Sequence, residues 1–128
     1  MAYLQLKKKK SLVMKQKNKL YFFSFSIILI GITLFSLLPP KSGLELRESD
    51  KLNHFLAYAI LSLNFGFIST KNRYYLLGIP LLISYGLLME FFQGFVPGRD
   101  PSFYDALANT CGVLIGFIIY RCFHLLKK

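Results

Sequence analysis

Acidic and other polar residues are scarce in this sequence. Six Asp and Glu stand against sixteen Lys and Arg, and 54% of the 128 residues are hydrophobic. This composition leaves too few polar residues to cover the surface of a soluble domain of this size. Four runs of about membrane length, apolar on nearly every face, indicate instead a small all-α membrane protein that crosses the bilayer several times.

Cysteine is also scarce, and the common catalytic and metal-binding spacings are missing. Cys111 and Cys122 lie on one predicted helix, about 16 Å apart along its axis, so they cannot pair within it. The sequence has no phosphate loop, nucleophile elbow, CxxC, HxxxH or EF-hand spacing. The carboxylates and one His could ligate a divalent cation, but without such a spacing we expect no metal site and no cofactor.

The net charge of +10 is concentrated at the N-terminus. Residues 1–19 contain seven Lys and no acid, and an apolar run follows directly. This pattern is typical of a cytoplasmic tail attracted to anionic lipid, so we expect no nucleic-acid partner. No small-x-small cleavage site follows the run, which favours a retained first helix over a cleaved signal peptide.

The apolar runs predict a transmembrane domain of four helices over residues 20–128. The expected helices are 20–38, 49 or 50 to about 69, 74–93, and 102 to 127–128. Ser49 or Asp50 can cap the second helix, while Ser102 and Asp105 have the spacing of a capping box at the fourth. The Gly- and Pro-rich segment 94–101 is expected to form a compact turn.

The distribution of charge predicts which side of the membrane each end occupies. With four crossings and the N-terminus inside, twelve of the sixteen basic residues are cytoplasmic and all six acids are on the outer side. Basic residues favour the cytoplasmic side. We therefore expect a multi-pass cell-membrane protein with both termini in the cytoplasm.

Polar side chains are predicted to meet at the outer ends of three helices. Within each helix they are three or four residues apart, so each pair shares a face. The set is Asp50 and His54 on the second helix, Glu90 and Gln93 on the third, Asp105 and Asn109 on the fourth, and Arg99 in the turn. Glu90 has apolar neighbours and needs a partner, which Arg99 or His54 can supply. We expect these residues to line a pocket just inside the outer leaflet.

Two further patterns predict contacts between helices. Ala108, Gly112 and Gly116 form a small-residue ladder along the fourth helix, which favours close helix packing. Asn64 lies in the middle of the second apolar run, where we expect it to donate a hydrogen bond to another helix.

The order and spacing of the polar motifs resemble those of the VanZ-like family. The motifs are Ser49-Asp50-Lys51-x-x-His54-Phe55-x-x-Tyr58, then Glu90-x-x-Gln93-x-x-x-Pro97-Gly98-Arg99, then Asp105-x-x-x-Asn109-x-x-Gly112. That family consists of small, mostly Gram-positive membrane proteins named for a teicoplanin-resistance determinant. Met89 stands where many relatives have Asp, which weakens a two-acid catalytic mechanism at that position.

The resemblance implies a role in the cell envelope, for which we weigh three hypotheses. The favoured one is binding of a membrane lipid, a lipid-linked envelope component or a lipoglycopeptide, with lowered susceptibility to teicoplanin-type antibiotics. Arg99 would pair with an anionic group, Gln93 and Asn109 would donate hydrogen bonds, and the acids would hold His54 and Arg99 in place.

The second hypothesis is catalytic. His54 would be the general base in hydrolysis or group transfer on a lipid-linked substrate, and Asp50 would orient it. Arg99 would stabilise negative charge, and Glu90 and Asp105 are further catalytic candidates. The third hypothesis is that the polar cluster only holds the helices together.

Overall fold

The chain folds into four α-helices and has no strand in the residues described. A computed structural model describes residues 1–39, 46–69 and 72–127. The helices are α1 (Ala2–Leu37), α2 (Leu46–Ile68), α3 (Asn72–Gln93) and α4 (Phe103–Leu126). The prediction of an all-helical fold with four helices is confirmed, and α3 and α4 begin and end within two residues of their expected bounds.

Helix α1 begins much earlier than expected. Its predicted start was residue 20, but it runs without a break from Ala2 through the Lys-rich segment. Residues 2–19 contain no Gly or Pro, and Lys, Leu and Gln are good helix formers, so nothing stops the helix there. With 36 residues it is about 54 Å long, well beyond the roughly 30 Å of a bilayer core. That residues 1–19 are cytoplasmic remains a prediction.

Two predicted helix caps are wrong. Helix α2 begins at Leu46, so Asp50 lies inside it and cannot be its cap; Leu, Arg and Glu at positions 46–48 favour the earlier start. Ser102 does occupy the N-cap position of α4, but its side chain makes no capping hydrogen bond. Its backbone carbonyl instead accepts from the N–H groups of Asp105 and Ala106, both at 3.1 Å.

The helices alternate in direction around one apolar core. Ser24 and Tyr21 of α1 lie beside Asn64 and Phe67 of α2, so these two helices are antiparallel. Gly86 and Gly78 of α3 lie beside Tyr58 and Phe65 of α2, so α3 is also antiparallel to α2. By contrast, Gly112 of α4 lies beside Phe55 and Gly116 lies beside Ala59, so residue numbers increase in the same direction and α2 and α4 are parallel. The buried core residues are Ile32, Tyr58, Leu61, Leu82 and Val113.

The two predicted helix contacts are present. A Cβ added at Gly112 would clash with the backbone carbonyl of Phe55, and one added at Gly116 would clash with that of Ala59. Only the hydrogen of a glycine fits at either position. Asn64 Nδ2 donates a hydrogen bond of 2.7 Å to Ser24 Oγ across the α1–α2 interface. Both confirm that small and polar residues determine how closely these helices pack.

Three helices, not four, are clearly long and apolar enough to cross a membrane. They are Ala2–Leu37, Arg73–Gln93 and Phe103–Leu126. Helix α2 is not among them, because its charged residues, followed by Asn53 and His54, lie close together near its start and lower its hydropathy. Large apolar side chains are exposed on the three spans, for example Ile30, Leu81 and Ile118. The structure therefore has the character of a multi-pass membrane protein, whereas the fourth crossing and the side of each terminus remain predictions.

Candidate functional site

His54 is held between three helices at one end of the bundle. Its Nδ1 lies 3.0 Å from Asn109 Oδ1 and 3.6 Å from Glu90 Oε1, and only 9% of its side chain is exposed. An amide oxygen can only accept, so Nδ1 carries the proton and donates it to Asn109. In the neutral ring this leaves a lone pair on Nε2, which lies 3.9 Å from Asp50 Oδ1.

Glu90 sits behind His54 and is almost fully buried, with 6% of its surface exposed. Its Oε1 accepts a hydrogen bond from Asn109 Nδ2 and its Oε2 accepts one from the Ser102 N–H, both at 3.3 Å. In a capping box, the side chain of Asp105 would accept a hydrogen bond from the Ser102 N–H. Glu90 accepts this hydrogen bond instead, so Asp105 does not act as the second member of a capping box.

Of the two partners proposed for Glu90, the structure provides His54. Among the described residues no ion pair joins Glu90 to Arg99. The Arg99 side chain points across the bundle towards α1 and α2 instead. The prediction that Glu90 has a partner is confirmed, and of the two candidates that partner is His54 and not Arg99.

A tight turn presents Arg99 to the ends of α1 and α2. The Arg99 N–H donates to Val96 O at 3.1 Å, and Gly98 has φ 80°, which is a type II turn with Pro97 and Gly98 at its centre. The guanidinium donates to Leu38 O at 2.9 Å and Phe35 O at 3.2 Å. A cation is favourable there because the last carbonyls of α1 lack helical partners. The remaining nitrogen, Nη1, lies 3.9 Å from Asp50 Oδ2.

A cavity of about 370 Å³ lies beside these groups. One part of its wall is polar, and the other is formed by apolar side chains of α1 and α2. The lining residues are Ile32, Phe35, Ser36, Asp50, Asn53, His54, Ala57, Tyr58 and Arg99. Tyr58 is 1% exposed, and its hydroxyl finds no hydrogen-bond partner in the described part of the chain.

The expected site residues fall into three groups around this cavity. Asp50, His54 and Arg99 are in its wall, whereas Glu90 and Asn109 support His54 from behind. Gln93 and Asp105 are not among the lining residues. Gln93 is 2% exposed, and both its Nε2 and Asp105 Oδ1 are buried without a hydrogen-bond partner among residues 1–39, 46–69 and 72–127.

No motif in the sequence indicated that α1 contributes to the site. Ile32, Phe35 and Ser36 line the cavity but belong to an apolar run without a motif, in which Ser36 is the single polar member of the three. A side chain of this kind becomes part of a site only when the turn that bears Arg99 closes over the end of α1.

The groups present can hold an anion, accept a proton or bind a cation. Arg99 supplies positive charge at the cavity wall, and His54 Nε2 supplies a base. Asp50, His54 and Asp105 each place one ligand atom within 4.8 Å of the others. The cavity wall thus combines charged groups with the apolar side chains of Ile32 and Phe35.

Comparison with known proteins covers nearly the whole chain. Residues 4–124 match the family model described as VanZ/LLP1, a longer stretch than the motifs between Ser49 and Gly112 that suggested the resemblance. No curated protein matches the chain, and no solved structure does. Since the match spans all four helices, the chain belongs to the VanZ/LLP1 family.

Proposed function

We propose that this protein is a four-span protein of the cell membrane whose cavity binds an anionic amphiphile of the envelope from the extracytoplasmic side. The observation that carries the proposal is the cavity wall itself. Arg99 can pair with an anionic headgroup, while Ile32, Phe35 and Ala57 can contact an acyl chain. A volume of about 370 Å³ suits a headgroup with the first part of a chain, because ligand cavities usually measure about 300–1,000 Å³.

Packing supports a fourth crossing by α2 despite its lower hydropathy. Helix α2 lies alongside α4 in the same direction, with Phe55 at the level of Gly112 and Ala59 at the level of Gly116. The polar groups in its second half face other helices, since Asn64 donates to Ser24 and Ser62 donates to Val113 O, and such groups are tolerated in a membrane when they face the bundle. If α4 spans the bilayer, α2 lies at the same depth.

Charge supports the orientation. With four crossings, the seven Lys of residues 1–19 lie on the cytoplasmic side, as basic residues generally do. The end of the bundle that holds His54, Glu90 and Arg99 then faces outwards, where lipid-linked envelope components and lipoglycopeptides are found. An outward-facing cavity would be within reach of teicoplanin, and the family is named for a determinant of resistance to that antibiotic.

The test is antibiotic susceptibility in a sensitive Gram-positive host. We expect the wild-type protein to raise the inhibitory concentration of teicoplanin several-fold while that of vancomycin, which has no lipid tail, stays near the empty-vector value. Arg99→Ala should lose this protection. Arg73→Ala is the matched control, because Arg73 is an exposed Arg at the start of α3, at the opposite end of the bundle.

Membrane levels of the three proteins are compared by immunoblot, so that loss of protection is separated from loss of protein. Protection by wild type and Arg73→Ala, but not by Arg99→Ala at equal abundance, supports the proposal. Equal protection by Arg99→Ala would show that the guanidinium does not bind the relevant group. No difference between wild type and vector would remove the resistance function in that host.

One observation favours an enzymatic role as the second candidate. In the neutral ring, the hydrogen bond from His54 Nδ1 to Asn109 leaves the lone pair of Nε2 beside Asp50 and the cavity, as general-base catalysis requires. Incubating the purified protein with bacterial membrane lipids and following products by mass spectrometry tests this role. His54→Gln and Asp105→Asn should nearly abolish turnover of a true substrate but only weaken amphiphile binding.

A further inference from the structure

Three potential metal ligands from α2 and α4 converge beside the cavity. They are Asp50 and His54 on α2 and Asp105 on α4, and one ligand atom of each lies within 4.8 Å of the other two. We propose that Asp50, His54 and Asp105 bind a divalent transition-metal ion of the Zn²⁺ or Mn²⁺ class. This inference goes beyond the proposed function and does not depend on it.

The distances are close to those of a formed metal site. Asp50 Oδ1 and His54 Nε2 are 3.9 Å apart, and two ligands of a tetrahedral Zn²⁺ with bonds near 2.1 Å are about 3.4 Å apart. The ligand atom of Asp105 lies within 4.8 Å of both, so side-chain rotations of about 1 Å can bring the three atoms to the spacing of a first coordination shell. Three protein ligands leave at least one position for water or an anionic group.

The state of His54 suits a metal ligand. Its Nδ1 proton is held by Asn109 Oδ1 at 3.0 Å, which fixes the ring and directs the lone pair of Nε2 towards Asp50. Asn109 is fixed in turn, because its Nδ2 donates to Glu90 Oε1. Ligating histidines in proteins typically have their second nitrogen held in this way.

Unpartnered buried groups provide an independent indication of a ligand. Asp105 Oδ1 is buried and has no hydrogen-bond partner within the described segments, which is costly for a carboxylate. A bound cation would satisfy it. Tyr58 lies four residues after His54 in the same cavity wall and is 1% exposed, and its hydroxyl is also without a partner there. It can hydrogen-bond a ligand in the cavity.

Nearby charges leave room for a dication. Arg99 Nη1 approaches Asp50 Oδ2, whereas Oδ1 of the same carboxylate faces His54. Lys51 Nζ lies over the Tyr104 ring, 5.4 Å from its centre. These two cationic side chains are outnumbered by the three carboxylates of Asp50, Glu90 and Asp105. The imidazole ligand suits Zn²⁺ better than Ca²⁺ or Mg²⁺, which prefer oxygen ligands, and the two carboxylates suit Mn²⁺.

Sequence spacing did not suggest a metal site because the ligands come from two helices. Asp50 and His54 are one turn apart, but Asp105 follows more than fifty residues later and meets them only through the close packing of α2 against α4. No recognised motif describes such a set. The convergence of these residues was predicted, but the expectation of no metal site rested on the absence of a recognised spacing within one segment of the chain.

The first test uses wild-type protein in detergent micelles with isotope-labelled histidine. The chain has two histidines, and His124 near the end of α4 is about 22 Å along the helix from Asn109, so it is an internal control. Paramagnetic Mn²⁺ added to about one equivalent should broaden the ring signals of His54 and spare those of His124. Zn²⁺ should prevent the broadening, and a larger amount of Mg²⁺ should not.

The second test compares dissociation constants for Zn²⁺ after removal of bound metal by a chelator. We expect Asp105→Asn to weaken binding about tenfold or more, because it removes one charged ligand. Asp100→Asn is the matched control, since Asp100 is an exposed acid in the neighbouring turn. Retained His54 chemical shifts before metal is added show that each variant is folded.

Either of two results would overturn the proposal. One is that His54 of the wild-type protein keeps its signals when Mn²⁺ is present; the other is that folded Asp105→Asn binds Zn²⁺ as tightly as wild type. The titrations contain no added amphiphile, so their outcome is separate from that of the susceptibility test. A protein that binds the metal but gives no protection would keep the metal site and lose the resistance function.

Discussion

At the scale of single residues, Gly98 sets the position of Arg99. Its φ of 80° lies in the region that side chains with a Cβ rarely adopt. We expect Gly98→Val to lower the thermal unfolding midpoint in detergent, because a branched residue in this conformation costs about 1–3 kcal/mol. Gly98→Asn is the matched control, since Asn tolerates this conformation better, and its midpoint should stay closer to wild type.

Repeating Gly98→Val in an Arg99→Ala background shows whether the effect acts through the guanidinium. If the turn matters because it brings Arg99 to Phe35 O and Leu38 O, the Val substitution should cost much less in that background. An unchanged cost would show that the backbone strain at position 98 destabilises the protein independently of the guanidinium contacts.

The polar residues of the site could be predicted individually, but their partners could not. Spacings of three and four residues placed Asp50 with His54 and Asp105 with Asn109 on shared helix faces. The choice between His54 and Arg99 as the partner of Glu90 depends on where the turn after α3 folds. The turn carries Arg99 over the end of α1, where free carbonyls attract a cation, and leaves Glu90 to His54 and the start of α4.

At the scale of helices, the packing of α4 on α2 depends on two glycines. A Cβ at Gly112 would meet the carbonyl of Phe55, whereas a Cβ at Gly31 of α1 would have nothing within 4 Å. We therefore expect Gly112→Ala to destabilise the protein by about 1–3 kcal/mol, as overpacking commonly does. Gly31→Ala should be neutral or slightly stabilising, because Ala is the better helix former.

Thermal unfolding of the two variants in the same detergent measures this difference. Since the carbonyl of Phe55 belongs to the turn that follows His54, Gly112→Ala should also displace the α2 side of the site. Equal midpoints for Gly112→Ala and wild type would mean that α2 and α4 can separate without cost, contrary to the close approach seen here.

Helix boundaries were less predictable than helix contacts. The ladder of small residues and Asn64 predicted the correct packing, because both patterns have a direct steric or hydrogen-bonding cause. The start of α1 at Ala2 and of α2 at Leu46 was missed. Lys, Glu and Leu are compatible with a helix in water as well as beside a membrane, so a change from charged to apolar sequence does not mark a helix start.

At the scale of the whole molecule, the number of crossings depends on α2. It is antiparallel to α1 and α3 and parallel to α4, as in an up-and-down bundle. However, its composition alone does not identify it as a span. Mean hydropathy is an average over all faces of a helix. It therefore does not distinguish a polar side chain that is hydrogen-bonded to another helix from one that would be exposed to lipid. The alternation of directions is the stronger argument for four crossings.

Cysteine labelling in intact cells distinguishes four crossings from three. In a background with Cys111 and Cys122 replaced by Ser, single cysteines are placed at Ala2, Asp100 and Lys127. With four crossings, a maleimide that cannot cross the membrane should label Asp100→Cys in intact cells, and the other two only after lysis. Both ends are then cytoplasmic, as the Lys-rich N-terminus favours.

If α2 instead lay along the outer surface, the directions of α3 and α4 would be reversed relative to the membrane. Asp100→Cys would then be protected in intact cells and Lys127→Cys would be labelled, while Ala2→Cys would stay protected in both cases. That pattern would place Arg99 on the cytoplasmic side while the end of α1 stays outside, so the contacts of Arg99 with Phe35 and Leu38 that close the cavity could not form. The labelling therefore decides both the number of spans and whether the cavity can meet an external ligand.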